Sequence, residues 1–484
     1  MRSQAEPPTE RISASAWRRT PRVVREELIA LAQELAEVKA RLAKAEEQLR
    51  RNSQNSSQPP SQDKPEQKQT SQAESTKLKR RRGGQIGHTG RQRPLVPLEG
   101  VDKVVVHRPE RCTQCGALLL GEDPKPRRHQ VTELPLVKAQ VTEHQVHTVT
   151  CLRCGAKNHG ELPADVAASQ FGPNLVSVMT LLMGCYRLSK RQVVDLLANC
   201  FDIRVAASSV VNQQRLISQA LAQSVEDLQH YVQHQRACNV DETSWRQADQ
   251  AKRCWLWVVV TSLVTIFHIA SSRSGAIARQ LLGEDYDGVV GTDRYSGYNW
   301  LDPSRRQVCW SHLVRDFQKI LERGGQSYVI GYNLKLQAEY LLALWSRVRD
   351  GTLSRADFLA EFPAVQCHLR FWLTQGLLCD CPSTAETCGN LLALDEALWR
   401  FITCPGVEPT NNAAERALRH PVIWRRTSHG TQSDAGSLFV QRMLTVAETC
   451  RLQRRPVLAF IRSAVLAYRA GLPAPSLLPS SLDN

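Results

Sequence analysis

The 484-residue chain has no long apolar run. Its most apolar stretch, residues 255–270, covers 16 positions and contains Thr, Ser and His. A membrane-spanning helix needs about 20 apolar residues, so this stretch reads as buried strands. The N-terminus is charged and lacks the short apolar segment of an export signal. Cysteines number 15, an odd count, and without an export signal they are not expected to form a disulfide framework. A reducing, cytoplasmic compartment is expected. Residues 53–100 hold almost nothing apolar and are rich in Ser, Gln, Asn, Pro, Lys and Gly, so they cannot offset their own ordering entropy.

Elsewhere the composition is that of a folded protein, 42% hydrophobic and 23% charged, and the length suggests roughly three domains. Lys and Arg total 62 against 47 Asp and Glu, a net charge of +15. Such an excess favours a polyanionic partner, because neutralised phosphates release condensed counterions. The charge is concentrated. Residues 77–93 carry seven Lys and Arg and no acid, including the block Arg80-Arg81-Arg82. This linker either follows a phosphate backbone or stays solvated.

Val24, Leu28, Leu31, Leu35, Val38, Leu42, Ala45 and Leu49 alternate spacings of four and three, which is a heptad seam. It predicts a coiled coil and self-association, or else one amphipathic helix packed on the body. Cys112-x-x-Cys115 and Cys151-x-x-Cys154 supply four thiolates, the number that a tetrahedral structural Zn²⁺ requires. The interleaved apolar and polar residues of 131–149 predict a β-hairpin between the two pairs, together a zinc ribbon. Cys379, Cys381 and Cys388 lack this spacing and read as small core residues. Residues 172–235 are helical by period, with Leu175, Val178, Leu181 and Leu182 on one face. Within them 189–212 reads as helix, turn, helix: either a DNA-binding helix-turn-helix or an ordinary helical hairpin.

After residue 236 the texture becomes α/β. Residues 237–245 and 288–293 each read as a strand ending in acid, at Asp241 and Asp293. Residues 306–312 read as a further strand, bearing His312 as a packed or hydrogen-bonding residue, and lead into a helix over 313–321. Two acids over one sheet edge suit a pair of divalent cations in phosphoryl transfer, one at the attacking oxygen and one at the leaving oxygen. Mg²⁺, or Mn²⁺ in its place, takes carboxylate oxygens. The arrangement calls for a third acid. Glu415, in Asn411-Asn412-Ala-Ala-Glu415-Arg416, is the candidate; by spacing alone it also fits a capping box with Asn412.

Asn239-Val-Asp241-Glu-Thr, Gly291-Thr-Asp293-Arg-Tyr-Ser-Gly-Tyr-Asn, Cys309-Trp-Ser-His312 and Asn411-Asn412-Ala-Ala-Glu415-Arg416 follow one another in this order. With the heptad start, the Gly83-Gly84-Gln-Ile-Gly-His88 linker and the four cysteines, they closely resemble the transposases of the bacterial insertion sequence 66 family. The resemblance implies a multidomain protein with an RNase H-like α/β core and an Asp241, Asp293, Glu415 triad. It also implies cleavage at the ends of a mobile element and attack of the freed 3′-OH on target DNA. The 121 residues between Asp293 and Glu415 predict a helical insertion at about 322–405. The expected organisation is a coiled-coil helix (1–51), a basic linker (52–100), a zinc ribbon that binds DNA (101–160) and a helical segment (161–235). A catalytic core (236–430) and a C-terminal helical segment (431–484) complete it. Arg416, Arg419, Arg425 and Arg426, just past the third acid, read either as phosphate contacts or as a solvated basic face. The expected partners are element-end and target DNA, further copies of the chain, and accessory proteins of the same element. The rival functions are a non-catalytic DNA-binding repressor and a hydrolytic nuclease with the same triad.

Overall fold

A computed structural model describes residues 14–50, 52, 56–57, 94–135, 137–163, 166, 169–249 and 253–479. Arg80, Arg81 and Arg82 lie outside the described residues. No helix among those described is long and apolar enough to cross a membrane.

The first helices are α1 (Ala14–Arg19) and α2 (Arg22–Arg50). Along α2 the seam residues Val24, Leu31, Leu35, Val38 and Leu42 are exposed. The two cysteine pairs then fold alike. The Cys112 and Cys151 amides each donate to the carbonyl five residues on, Ala117 and Ala156, at 2.8 Å. The Gly116 and Gly155 amides donate back to the carbonyls of Cys112 and Cys151. Their φ angles of +75° and +74° are ones that glycine adopts without steric cost.

The hairpin expected over 131–149 does not form. Among the described residues here, the paired strands are β1 (Thr148–Thr150) and β2 (Lys157–His159), antiparallel around the second knuckle, with a single bridge from Arg111 to Leu118 at the first. Val131, Leu134 and Val141 are 81%, 81% and 89% exposed, so no apolar face holds a ladder together.

Helices α3 (Pro173–Gly184), α4 (Lys190–Phe201), α5 (Ala207–Ala220) and α6 (Ala222–Gln233) follow. Helix α3 buries Val176, Met179, Thr180 and Met183, and Leu175, Leu181 and Leu182 pack half-buried against the same core, because the helix is apolar on most sides. Ser189 and Gln192 close a capping box on α4, and Asp202 ends it in the left-handed conformation. Helix α5 buries Val210, Gln213 and Ile217 and leaves Ala207, Ser208, Asn212 and Arg215 exposed.

Five strands make the central sheet: β3 (Ala237–Trp245), β4 (Cys254–Val260), β5 (Thr265–Ala270), β6 (Val289–Thr292) and β7 (Arg306–Val308). Their order is β5-β4-β3-β6-β7. Strands β3, β4 and β5 form an antiparallel meander. Helix α7 (Gly275–Leu282) then returns the chain to β6, which lies parallel to β3, with β7 parallel beyond it.

Helices α8 (Trp310–Glu322), α9 (Gly325–Arg349), α10 (Arg355–Leu377), α11 (Pro382–Ala393), α12 (Asp395–Leu398) and α13 (Arg400–Thr403) fill the stretch before Glu415. They form a second apolar core with β7, including Phe317, Leu334, Phe358, Leu369 and Phe401. Gly331 lets α9 lie against α8, since an added Cβ would meet the Leu321 amide nitrogen at 2.3 Å. Of the three cysteines expected in the core, Cys388 is buried, whereas Cys379 and Cys381 are half-buried.

Helices α14 (Asn412–Ser428), α15 (Asp434–Leu452) and α16 (Val457–Arg469) close the fold; α14 packs on β3 and β4, and α16 packs on α3 and α5. Helix α15 covers the edge strand β5. Its Gln441, Thr445 and Thr449 accept hydrogen bonds from the Ile269, Phe267 and Thr265 amides at 3.1, 2.9 and 3.1 Å. Four helical residues rise about 6 Å and two strand residues about 6.8 Å, so the two rows keep step over three bonds. An open sheet edge, a template for unwanted pairing, is thereby satisfied.

Candidate active site

Asp241 is in the middle of β3, not at a strand end as its apolar run suggested. Strand β3 continues to Trp245 because its other edge stays paired with β4. On the β6 side the pairing stops at Asn239 opposite Gly291. Two residues further along each strand come Asp241 and Asp293, so the register sets the acids side by side where β6 ends. Gly291 makes room for this junction, since a Cβ there would meet Asn239 Oδ1 at 2.4 Å. Asp293 Oδ1 accepts from the Tyr295 amide and Asp241 Oδ1 from the Glu242 amide, both at 2.8 Å. Burial holds the Asp241 carboxyl well above the usual carboxylate range, and the charges of Glu242, Asp293 and Glu415 push the same way.

Glu415 is in the first turn of α14, whose cap residue is Asn411. The capping box of Asn412 with Glu415 is absent, because Asn412 is already the first helical residue and the cap position falls to Asn411, which makes no side-chain cap bond. Its amide Nδ2 instead donates to the Val240 carbonyl at 2.9 Å, and its backbone N–H donates to Cys309 Sγ at 3.1 Å. The Trp310 amide donates to the Pro409 carbonyl at 2.9 Å. These bonds fasten the start of α14 to β3 beside Asp241 and to the start of α8. His312 is therefore in the first turn of α8, not on a strand. Strand β7 ends at Val308, one residue before Cys309 caps the helix. His312 Nδ1 faces Glu415 Oε1 at 3.5 Å without hydrogen-bond geometry, and both atoms are buried with no hydrogen-bond partner. Cys309, His312 and Glu415 form the one cluster among the described residues whose donor atoms all lie within 4.8 Å of one another. The four knuckle thiols do not gather in this way. Burial, and then Arg315, lowers the pKa of His312, while Glu415 and Asp293 oppose the shift.

A second network, which the sequence did not disclose, braces the aspartates. Glu242, on the opposite face of β3 from Asp241, is 7% exposed. It pairs with Arg273 at 2.7 Å and accepts a hydrogen bond from Tyr298. The Arg273 guanidinium stacks 3.8 Å from the Tyr295 ring centroid and 4.8 Å from that of Trp255. Arg306 is fully buried and donates to Thr292 Oγ1, Asn299 Oδ1 and the Asp293 carbonyl at 3.0, 3.1 and 2.8 Å. It therefore holds the turn that carries Asp293. Burial brings its pKa down to about 10. The sequence signal was present in Tyr295 and Tyr298, inside the motif after Asp293, but not their partners.

The family model described as "Transposase IS66 family" matches residues 168–438, a span that contains this whole cluster. The chain belongs to the IS66 family of transposases. A second model, described as a family of unknown function, matches residues 6–94. Uncharacterized protein y4hP of Sinorhizobium fredii is 24% identical over 387 residues, covering 72% of this chain and 69% of that protein. Uncharacterized protein y4qI of the same organism is 26% identical over 245 residues, covering 46% of this chain and 45% of that one.

In this IS66-family chain Arg416, Arg419 and Arg426 are exposed along one face of α14. Arg425 is not available in the same way. It donates to the Ser244 carbonyl, to Ser244 Oγ at 2.6 Å and to Thr243 Oγ1 at 3.2 Å, tying α14 to the far end of β3.

Proposed function

We propose that this transposase is an Asp-Asp-Glu enzyme that cuts DNA at the ends of its element and joins the freed 3′-OH to target DNA. The observation that supports the reading is the register that sets Asp241 beside Asp293 at the end of β6, with the charge of Glu415 acting on Asp241. The β5-β4-β3-β6-β7 order, antiparallel and then parallel, supports an RNase H-like core.

The site fits divalent cations. Burial, and then the like charges of Glu242, Asp293 and Glu415, disfavour ionised Asp241, a cost that a bound cation would offset. Asp241, Asp293 and Glu415 would hold Mg²⁺ or Mn²⁺, which supplies activation of the attacking oxygen and stabilisation of the leaving oxygen. Arg306 fixes the Asp293 turn and Asn411 the Glu415 turn, so both arrive pre-positioned. Arg416, Arg419 and Arg426 contact the phosphates flanking the cut. Arg80, Arg81 and Arg82 add contacts along the backbone.

Cys112 with Cys115 and Cys151 with Cys154 would hold structural Zn²⁺ in a DNA-binding ribbon, the ion drawing together two knuckles whose thiols stand apart here. Amides and the neighbouring thiol lower the pKa of Cys112 and Cys151, which favours the thiolates that zinc needs. The exposed α2 seam meets the same seam of a second copy.

The test is Asp293→Asn with a labelled element-end duplex and Mg²⁺. Cleavage is lost and DNA binding is kept; substantial cleavage in that variant sinks the reading. Pre-cleaved 3′-OH ends give integration products with the unsubstituted chain, where nicks alone mean a nuclease and a bare mobility shift means a binder.

A further inference from the structure

We propose that Cys309, His312 and Glu415 form a mixed sulfur, nitrogen and oxygen site for a transition-metal dication at the third acid. The inference rests on the reading of Glu415 as a cation ligand, and it adds two donors that the carboxylate triad does not include. His312 Nδ1 and Glu415 Oε1 are both buried and both lack a hydrogen-bond partner, yet they face each other at 3.5 Å. An imidazole–carboxylate hydrogen bond would close to about 2.8 Å. Two donors each about 2.1 Å from one ion, at a tetrahedral angle, stand about 3.4 Å apart. The observed 3.5 Å is close to the spacing of two such ligands.

Cys309 Sγ lies within 4.8 Å of a ring nitrogen of His312 and of a carboxylate oxygen of Glu415. A thiolate about 2.3 Å from the same ion stands about 3.6 Å from the other donors, so closing the set moves the sulfur by roughly 1 Å at most. Cys309 caps α8, and the backbone amides of Asn411, His312 and Ser311 all point at its sulfur. The three residues come from the β7–α8 junction and from α14, the same two elements joined by the Trp310–Pro409 and Asn411–Cys309 bonds. The protein frame thus fixes the donors before any ion arrives.

The donor set decides which ion binds. Mg²⁺ demands oxygen ligands and near-octahedral order, whereas thiolate and imidazole select Zn²⁺, Co²⁺ and their neighbours. Asp241 and Asp293 offer only oxygen and suit Mg²⁺ or Mn²⁺, with Glu415 the ligand that the two donor sets share.

Titration of the full-length chain with Co²⁺ tests this, alongside Cys309→Ser and His312→Asn. Two readouts are taken: thiolate-to-cobalt charge-transfer absorption, and cobalt per chain after dialysis. The knuckle thiols contribute equally to all three proteins, so difference spectra isolate this site. Each variant is expected to bind one Co²⁺ fewer per chain, and the difference spectrum against Cys309→Ser to contain thiolate-to-cobalt absorption. Equal cobalt content with flat difference spectra overturns the inference. Circular dichroism melting identifies a variant that has not folded, and Glu415→Gln is then read in the same way. Flat spectra together with Mg²⁺-supported cleavage that Asp293→Asn abolishes sink this inference and leave the Asp-Asp-Glu reading standing. Cobalt bound through Cys309 together with undiminished cleavage in Asp293→Asn does the reverse.

Discussion

Replacing Asn411 with Ala separates what holds the site in place from what holds the protein together. Asn411 is 1% exposed, and its Nδ2 donates to the Val240 carbonyl at 2.9 Å. Removing one partner of a buried hydrogen bond costs about 1–3 kcal/mol. The same bond locates the first turn of α14, and therefore Glu415. A displacement of about 1 Å at a reacting centre costs on the order of 100-fold in rate. Thr445→Val is the matched control. Thr445 is fully buried, its hydroxyl accepts from the Phe267 amide at 2.9 Å, and Val keeps its shape. The expected stability loss is again about 1–3 kcal/mol, but at the β5 edge, two strands away from β3. Urea unfolding measures the first quantity, and single-turnover cleavage of a labelled element-end duplex measures the second. Both variants should lose similar stability, while only Asn411→Ala should lose about 100-fold in cleavage, with DNA affinity nearly unchanged. If Asn411→Ala cleaves at the rate of Thr445→Val, the positioning argument is wrong.

Arg425→Ala should lower the urea midpoint, because it frees α14 from Ser244 and Thr243; an unchanged midpoint would mean those bonds hold nothing. The triple variant Arg416→Ala, Arg419→Ala, Arg426→Ala should instead flatten the salt dependence of DNA binding, reducing its log–log slope by about 2.7, as a filter-binding titration would reveal. Deleting residues 1–50 should reduce the oligomeric mass by light scattering, since it removes the exposed α2 seam; an identical mass excludes that seam as the contact. Burial lowers the pKa of both His420 and His268. The unfolded chain, with histidine near 6.5, then binds more protons than the folded one below that pH, so stability rises with pH up to about 6.5 and is lost as the pH falls further. His420→Gln, which keeps a donor for the Cys185 carbonyl, should flatten that acid limb in melts between pH 5 and 7.

The parts of the fold that were legible in the sequence are those written in local pattern. The β-branched runs of β4 and β5 and the four-residue apolar run before Asp293 needed no knowledge of their neighbours. The paired knuckles also announced themselves by spacing. The misplacements have one cause. Residues 131–149 alternate as a strand should but meet no apolar surface, and Asp241 seemed to end a strand that β4 in fact carries four residues further. Both outcomes depend on what packs alongside. The α15 row along β5 and the meeting of His312 with Glu415 were invisible for the same reason, since each joins segments far apart in the chain; the Arg306 brace is only 13 positions long but depends on β6 and β7 pairing first.

Glu415 shows how a short motif can contain a long-range contact without revealing it. By spacing, an Asn followed three residues later by Glu at a helix start is a cap and its return bond. That reading assumes that the asparagine side chain is free to serve its own helix. In the folded chain the cap position falls to Asn411, and its side chain is taken by the Val240 carbonyl, 171 positions earlier. Glu415 is left with no cap to complete, and its Oε1 turns into the buried space beside His312 and Cys309. The two adjacent asparagines thus divide the tasks, Asn411 fastening to β3 while Asn412 begins the helix. Asn411→Ser should therefore behave as Asn411→Ala does, because it too loses the bond to the Val240 carbonyl, and a hydroxyl cap at 411 gains no return bond when the residue three positions on is Ala414. Urea unfolding and single-turnover cleavage check this: a Ser variant that keeps both stability and rate would mean that the Val240 bond does not position Glu415.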